Sequence, residues 1–389
     1  LAKKEKNVII LGAGMVGSTI AADLSREYNV SALDSNRSAL EALRDSSGIR
    51  GIEADLSDSG RIARAVAGAD LVIGALPGFL GFQALEAVIE SGKNIVDISF
   101  FPEDPFILDS PARRQGVTAV IDCGVAPGMC NIILGYYTER MRVDSYECLV
   151  GGVPVKRLWP YQYKAPFSPI DVLEEYVRPA RCVENGHVVT KPALSDAEYV
   201  EMDPVGTLEA FNTDGLRTLL TTMRVPHMHE KTLRYPGHIE YIRVLRESGF
   251  LDKEPIRIKD TLIRPLDVTA ALLFPKWRLE KGEHDMTLMR VTLEGSEEGR
   301  SMKYVYTLFD RYDDATCITS MARTTGYTCS VVARLLLEGE FSHKGICPPE
   351  YIGAAPGLFE KVLIGLRARG VKYDCGAFPT LGAVPPTGS

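Results

Sequence analysis

The chain lacks any apolar run near the ~18 residues a helix needs to cross a bilayer, and no leader pattern precedes its first strand. A cytoplasmic location is the expectation. It also lacks a basic block: 44 Lys and Arg stand against 51 Asp and Glu, for a formal charge of −7. Only Lys3, Lys4 and Lys6 cluster, at a tip that reads as solvated. Neither nucleic acid nor a membrane surface is an expected partner. The eight cysteines contain no Cys-x-x-Cys, so reduced thiols are expected rather than a disulfide frame. The one close histidine pair, His227-x-His229, follows Pro226 without Cys or carboxylate at ligand spacing. It reads as a surface turn, and no metal is expected. No internal repeat is present.

What is there is an ordinary globular composition, 45% hydrophobic and 24% charged over 389 residues, enough for two domains. The organising stretch is the first. Residues 7–11 form an apolar run of strand length, followed by Gly12, Gly14 and Gly17 in a Gly-x-Gly-x-x-Gly pattern. Gly12 permits the tight turn, Gly14 lets backbone approach a pyrophosphate, and Gly17 lets the helix pack on the strand. Met15 and Val16 lie between them, where helix N–H groups meet phosphate. Residues 18–28 read as the helix and 29–34 as a second strand ending in Asp34, 22 residues beyond Gly12 and close to the ~20 expected of the acid that accepts from the ribose. Asp34 repels a 2′-phosphate, and Arg37 beside it reads as solvated, so NAD is expected over NADP.

Strands and helices alternate from there to residue 121, which implies a doubly wound parallel sheet. Ligands belong at its strand C-termini. These carry Asp34, then Asp55 (either at the adenine edge or capping the helix at 59–66), then Leu76 and Pro77, Asp97, and Asp122 with Cys123. Past residue 128 the rhythm changes to longer alternating strands at 145–153, 285–294, 303–310 and 316–321, joined by loops rich in Pro and aromatics. The expected fold class is α/β: a Rossmann sheet with a second α+β domain on a largely antiparallel sheet. The expected domains are residues 1–128 for the dinucleotide, 129–323 for substrate and dimerisation, and 324–389 as helices returning to the first. A homodimer is expected because an open sheet exposes an edge and an apolar face.

Asp122-Cys123-Gly124-Val125-Ala126-Pro127-Gly128-Met129, with Gly151-Gly152-Val153-Pro154 and Arg234-Tyr235-Pro236-Gly237-His238, resembles the saccharopine dehydrogenase superfamily. The resemblance spans residues 8 to about 370 and is nearest the L-lysine 6-dehydrogenase branch. Saccharopine-forming members carry Gly-Leu-Asp-Pro-Gly in the central motif, and here Ala126 replaces the aspartate. The resemblance implies NAD-linked oxidative deamination of the lysine side-chain amine to the semialdehyde, with ammonia released. Alternatives are saccharopine- or carboxynorspermidine-type coupling of an amine with a carbonyl compound, and a non-catalytic NAD-binding regulator. A short-chain dehydrogenase is disfavoured, since no tyrosine is followed four residues on by Lys.

Losing a proton from the amine and adding water to the imine both want a group titrating near neutrality, and His238, in a glycine-flanked loop, is one candidate. Asp97 and Asp122 can hold the ammonium, act as base, or only cap their turns. Cys123 suits close cofactor approach as a small neutral side chain. Tyr163, with Tyr161, can wall the aliphatic chain, and Thr213 can add a hydroxyl contact. The substrate carboxylate wants an arginine fork, for which Arg234 is preferred to Arg311.

Overall fold

A computed structural model describes residues 5–165, 168–280 and 282–380. In chain order the elements are β1 (Asn7–Leu11), α1 (Met15–Leu24), β2 (Asn29–Asp34), α2 (Arg37–Ser47), β3 (Arg50–Glu53), α3 (Ser59–Val66), β4 (Leu71–Gly74), α4 (Gly78–Glu90), β5 (Ile95–Asp97), α5 (Asp109–Arg114), β6 (Thr118–Val120) and α6 (Met129–Thr138). Next come β7 (Arg142–Pro154), α7 (Pro169–Val177), β8 (Ala180–Glu184), β9 (His187–Lys191), β10 (Glu198–Met202), β11 (Gly206–Asn212), α8 (Leu219–Thr222), β12 (His227–Arg234) and α9 (His238–Glu247). β13 (Ile256–Ile258), β14 (Thr261–Ile263), α10 (Pro265–Trp277), β15 (Asp285–Glu297) and β16 (Arg300–Arg311) follow, then α11 (Ser320–Leu337), β17 (Gly345–Cys347), α12 (Pro349–Ala354), α13 (Leu358–Arg367) and β18 (Tyr373–Pro379).

Two compact units result: Leu1–Ile132 with Tyr312–Val371, and Ile133–Arg311 with Lys372–Ser389. In the first, seven strands run parallel in the order β17-β6-β5-β4-β1-β2-β3. β1 and β4, neighbours in the sheet but not in sequence, mark the topological switch where such sheets bind ligands. All four residues of β4 are buried, as a strand covered on both faces requires. α11 lies along α1, where Asp23 accepts from Ser330 Oγ at 2.7 Å, Arg334 Nη1 at 2.8 Å and Arg369 Nε at 2.8 Å. Burial pushes the Asp23 carboxyl up, but Arg334, Ser330 and Arg369 together hold it below the usual carboxylate range. Its stabilisation is therefore present above that range and lost as the pH falls through it. Asp23→Ala takes the one carboxylate recorded at Arg369 and leaves Arg334 with Glu27 alone, and a loss of about 3 kcal/mol is expected in urea unfolding.

The second unit is a nine-stranded mixed sheet, ordered β10-β11-β12-β7-β15-β16-β18, with β8 on β12 and β9 on β8. Only β12 and β7 pair in parallel. An aromatic core joins Tyr163, Tyr176, Phe211 and Trp277 with α7, α9 and α10.

Several expectations are corrected. α1 starts at Met15, not residue 18, and ends at Leu24, because Gly14 serves as its N-cap. The strand expected at 316–321 is a turn closed by the Asp313–Ile318 bridge, and Thr319 then caps α11 by accepting from Ala322 N–H. Its β-branched residues serve capping rather than a sheet. The supposed loops between residues 155 and 264 hold α7, β8–β14, α8 and α9, whose short runs are broken by Pro and Gly, whereas residues 266–273, which read as a helix in the sequence, do form one within α10. The end of the chain does not stay with the first unit: β18 pairs antiparallel with β16. The part of the tail from 381 on lies outside the described residues.

Candidate active site

In the first unit the β1–α1 turn forms as its glycines dictate. Gly12 has φ +102°, and a Cβ there would lie 2.3 Å from the Ala75 carbonyl oxygen. A Cβ on Gly17 would lie 2.1 Å from the Gly12 carbonyl oxygen, whereas one on Gly14 meets nothing within 4 Å. The Gly14 position is thus open to a ligand. Met15 and Val16 sit in the first turn of α1, whose N-cap has no side chain to satisfy the helix N–H groups. Asp34 Oδ2 accepts from Ala13 N–H and Oδ1 from Asn36 N–H, both at 2.7 Å. Those bonds aim the carboxylate beside the turn and leave each oxygen a lone pair. Arg37 pairs with Glu53 at 3.2 Å. This constellation fits a dinucleotide: donors for the pyrophosphate, an open backbone, and an acceptor for the ribose.

Asp55 is corrected as a cap: the α3 N-cap is Asp58, while Asp55 accepts from Ser57 N–H at 3.0 Å and Ser57 Oγ at 2.7 Å. Leu76 is buried and Pro77 half-buried beyond β4. At the ends of β5 and β6, Asp97 and Asp122 are buried beside Cys123, whose thiol is pushed up by burial and then by the two carboxylates. Cys123 is thus neutral. Asp97 accepts from Ser99 N–H at 2.8 Å and Ser99 Oγ at 3.2 Å. Asp122 has φ +51° and its carbonyl accepts from Gly124 N–H at 3.0 Å. The following loop is closed by Gly124 N–H to the Pro127 carbonyl at 3.1 Å and steadied by buried Asn131, which accepts from Gly128 N–H.

In the second unit Tyr163, Arg234 and His238 come together. Arg234 lies 4.6 Å from the centre of the Tyr163 ring and donates from Nη2 to Glu175 at 3.0 Å and from Nε to Tyr176 Oη at 3.3 Å. His238 Nδ1 faces the Tyr161 carbonyl at 2.7 Å and so carries the proton, and Nε2 accepts from Tyr176 Oη at 2.9 Å. Burial, then the Arg234 charge, pulls His238 down to about 3. The expectation of a loop histidine exchanging protons near neutrality is corrected: His238 opens α9, is fully buried, and locks Tyr176 under Arg234. Thr213 sits one step along, donating to buried Glu230 and sharing a contact with Thr232 at 2.9 Å. Burial pushes Glu230 up to about 8, although the Thr213 and Gly215 donors pull the other way. Arg311 stacks instead on Phe309, apart from this group.

Glu175, Tyr176, Glu230 and Trp277 were not singled out in the sequence. Only the spacing of Glu230, Thr232 and Arg234 along one face of β12 signalled any of them. Tyr163 Oη and Trp277 Nε1 are buried without a hydrogen-bond partner. Tyr161 and Tyr163 also wall a cavity of about 290 Å³ whose lining includes Leu158, Trp159 and the three lysines Lys156, Lys164 and Lys276. His229 is corrected from turn to strand, with Cys182 and Glu184 donor atoms within 4.8 Å. Lys191 lies 2.6 Å from Glu184 and 2.7 Å from Asp196, supplying the cation there.

Residues 8–120 match the saccharopine dehydrogenase NADP binding domain, and residues 124–371 match the saccharopine dehydrogenase C-terminal domain. The chain belongs to the saccharopine dehydrogenase family. It is 23% identical to the saccharopine dehydrogenase [NADP(+), L-glutamate-forming] of Schizosaccharomyces pombe, over 88% of this chain and 93% of that one. It is 22% identical to the mitochondrial alpha-aminoadipic semialdehyde synthase of Bos taurus, over 95% of this chain but 47% of the relative, so it spans about half of that protein. The apo saccharopine dehydrogenase (L-Glu forming) of Saccharomyces cerevisiae shares the fold, with a TM-score of 0.78 at 19% identity, covering 96% of this chain and all of that one. Residues 8–120 of the first unit are therefore the NAD(P)-binding domain of this family, while its residues Tyr312–Val371 fall within the C-terminal domain match. Among the described residues no helix is long and apolar enough to cross a membrane.

Proposed function

We propose that this chain oxidatively deaminates the side-chain amine of L-lysine with NAD. The observation that carries the reading is Ala126, in the loop after Asp122, where the saccharopine-forming proteins it resembles place an aspartate. One lysine, one NAD⁺ and one water give the 6-semialdehyde, ammonium, NADH and a proton, and the aldehyde then closes on the α-amine as a cyclic imine. NAD supplies the hydride acceptor. Asp34 holds the ribose hydroxyls, with Met15 and Val16 N–H groups on the pyrophosphate. Asp97 and Asp122 are the acids that hold the ammonium and take its proton, beside the neutral Cys123. Within the second unit, Arg234, paired with Glu175 and set against Tyr163, is the cation suited to a carboxylate. His238 acts through Tyr176 as a positioning residue.

Asp34 and the Arg37–Glu53 pair support NAD, since a carboxylate ends β2 beside the turn and Arg37 is engaged by Glu53. Asp34→Ser is expected to raise KM for NAD roughly 10-fold or more and to improve use of NADP, as read from reduced-nicotinamide absorbance with each cofactor. A second reading, saccharopine-type coupling, is favoured by the lysine-lined cavity, which suits a substrate with several carboxylates. Following NADH with lysine, saccharopine and polyamines in parallel separates the two. Turnover of saccharopine without turnover of lysine rejects the first reading, and dinucleotide binding without any turnover supports a regulator.

A further inference from the structure

The chain has six histidines, and three of them, His187, His227 and His229, come to one small face of the second unit. Three neighbouring strands build that face. β9 pairs antiparallel with β8 and sets His187 opposite Glu184. β8 joins β12 antiparallel through Val183 and Met228, and the next position along that register sets Cys182 opposite His229. Side chains alternate along a strand, so Cys182 and Glu184 point to one side of β8, and His227 and His229 point to the same side from β12. Folding thus brings to the histidine pair the thiol and carboxylate that its sequence neighbourhood lacks. One donor atom each from Cys182, Glu184 and His229 lies within 4.8 Å of the other two. Cys182 is buried, while Glu184 and His229 are half-buried, so the cluster has a dry side and a way in from solvent.

The donor set selects the ion. Ca²⁺ and Mg²⁺ favour oxygen ligands, whereas a thiolate beside an imidazole suits Zn²⁺. Zinc binds sulfur at about 2.3 Å and nitrogen or oxygen at about 2.0–2.2 Å, so its tetrahedral ligand atoms stand roughly 3.4 Å apart. Donors already within 4.8 Å reach that spacing by side-chain rotation, without moving a strand. Lys191 is the competitor, with its ammonium 2.6 Å from Glu184 and 2.7 Å from Asp196. A part-exposed pair of this kind contributes little, and Asp196 keeps the ammonium when Glu184 turns to the metal. Zinc takes cysteine as the thiolate, so binding breaks the Cys182 S–H bond, releases that proton to solvent and forms a Zn–S bond, with no change of oxidation state. Three protein ligands leave the fourth position to water.

We propose that Cys182, Glu184 and His229 form a zinc site that ties β8 to β12. The proposal is independent of which amine the chain oxidises. Titrating the reduced, chelator-treated full chain with Zn²⁺ against a chromophoric chelator tests it. Expected are one ion per chain with a Kd of about 1 μM or below, and affinity lower by roughly 100-fold in both His229→Gln and Cys182→Ser. Lys191→Met is expected to tighten binding about 10-fold, because a competing positive charge is gone. A wild type without a stoichiometric ion, a His229→Gln variant that binds as tightly as wild type, or a Lys191→Met variant that binds no more tightly overturns the proposal. Should Cys182→Ser misfold, X-ray absorption of the zinc-loaded wild type decides. One sulfur at about 2.3 Å among nitrogen and oxygen neighbours supports the site, and a shell with no sulfur or with several rejects it.

Discussion

Gly14→Val is expected to cut dinucleotide affinity at least ~100-fold, about 2.7 kcal/mol, while leaving the unfolding midpoint near that of wild type. The two effects separate because of where the new side chain goes. A Cβ on Gly14 meets nothing within 4 Å in the folded chain, and its φ of −67° suits any residue. The added bulk therefore fills only the space where a pyrophosphate approaches the backbone. Gly17→Ala is expected to do the opposite. Alanine ordinarily favours a helix over glycine by about 0.5–1 kcal/mol. Here the Cβ lies 2.1 Å from the Gly12 carbonyl oxygen, and both sides of that contact are backbone. Relieving the clash moves α1 off β1, and a net destabilisation of about 2 kcal/mol is expected. Titration of each variant with NAD, alongside denaturant unfolding, checks both. Equal loss of affinity and stability in Gly14→Val would show that the open space has a packing role.

The second large effect is on pH and comes from two buried groups shifted in opposite directions. His238 is held near 3 against an ordinary 6.5, so between those values the unfolded chain binds a proton that the folded chain does not. Stability then falls as the pH drops below 6.5, by up to about 1.4 kcal/mol per unit. Glu230 is held near 8 against an ordinary 4.5, so the folded chain keeps a proton that the unfolded chain has lost. Its contribution falls as the pH rises from 4.5 to 8. Between 4.5 and 6.5 the two slopes oppose, leaving a plateau with an acid limb and an alkaline limb. His238→Gln is expected to flatten the acid limb and Glu230→Gln the alkaline one, read as the difference in urea midpoint from wild type across pH 3 to 9. A Glu230→Gln difference that does not change between pH 5 and 8 would mean that Glu230 is ionised in the folded state.

The cofactor turn was legible in the sequence because every interaction that shapes it is local or repeats along a strand. An apolar run, glycines at set spacing and an acid at the end of β2 lie within 28 residues, from Asn7 to Asp34. Buried parallel strands announce themselves in the same way, as β4 does with four buried residues in a row. The second unit was less legible. β8, β9 and β10 have five residues each, too few for a periodicity to accumulate, and β12 finds its parallel partner β7 far back in the sequence. His238 shows the limit most plainly. In sequence it is a histidine between glycine and isoleucine after a Pro-Gly turn. Only the packing of Tyr161, Tyr176 and Trp277 around it removes water and pulls its proton affinity down.

Sequence by itself therefore determined the family, the dinucleotide turn, the acids at the strand ends, and the two-part architecture. Tertiary structure alone decided that His238 is a buried strut, that Arg234 is already paired with Glu175, that burial pushes the Glu230 carboxyl up, and that β18 joins the second sheet. The division follows from the range of the forces. Backbone geometry and periodicity are written locally, whereas desolvation and charge pairing depend on neighbours that the chain reaches only by folding.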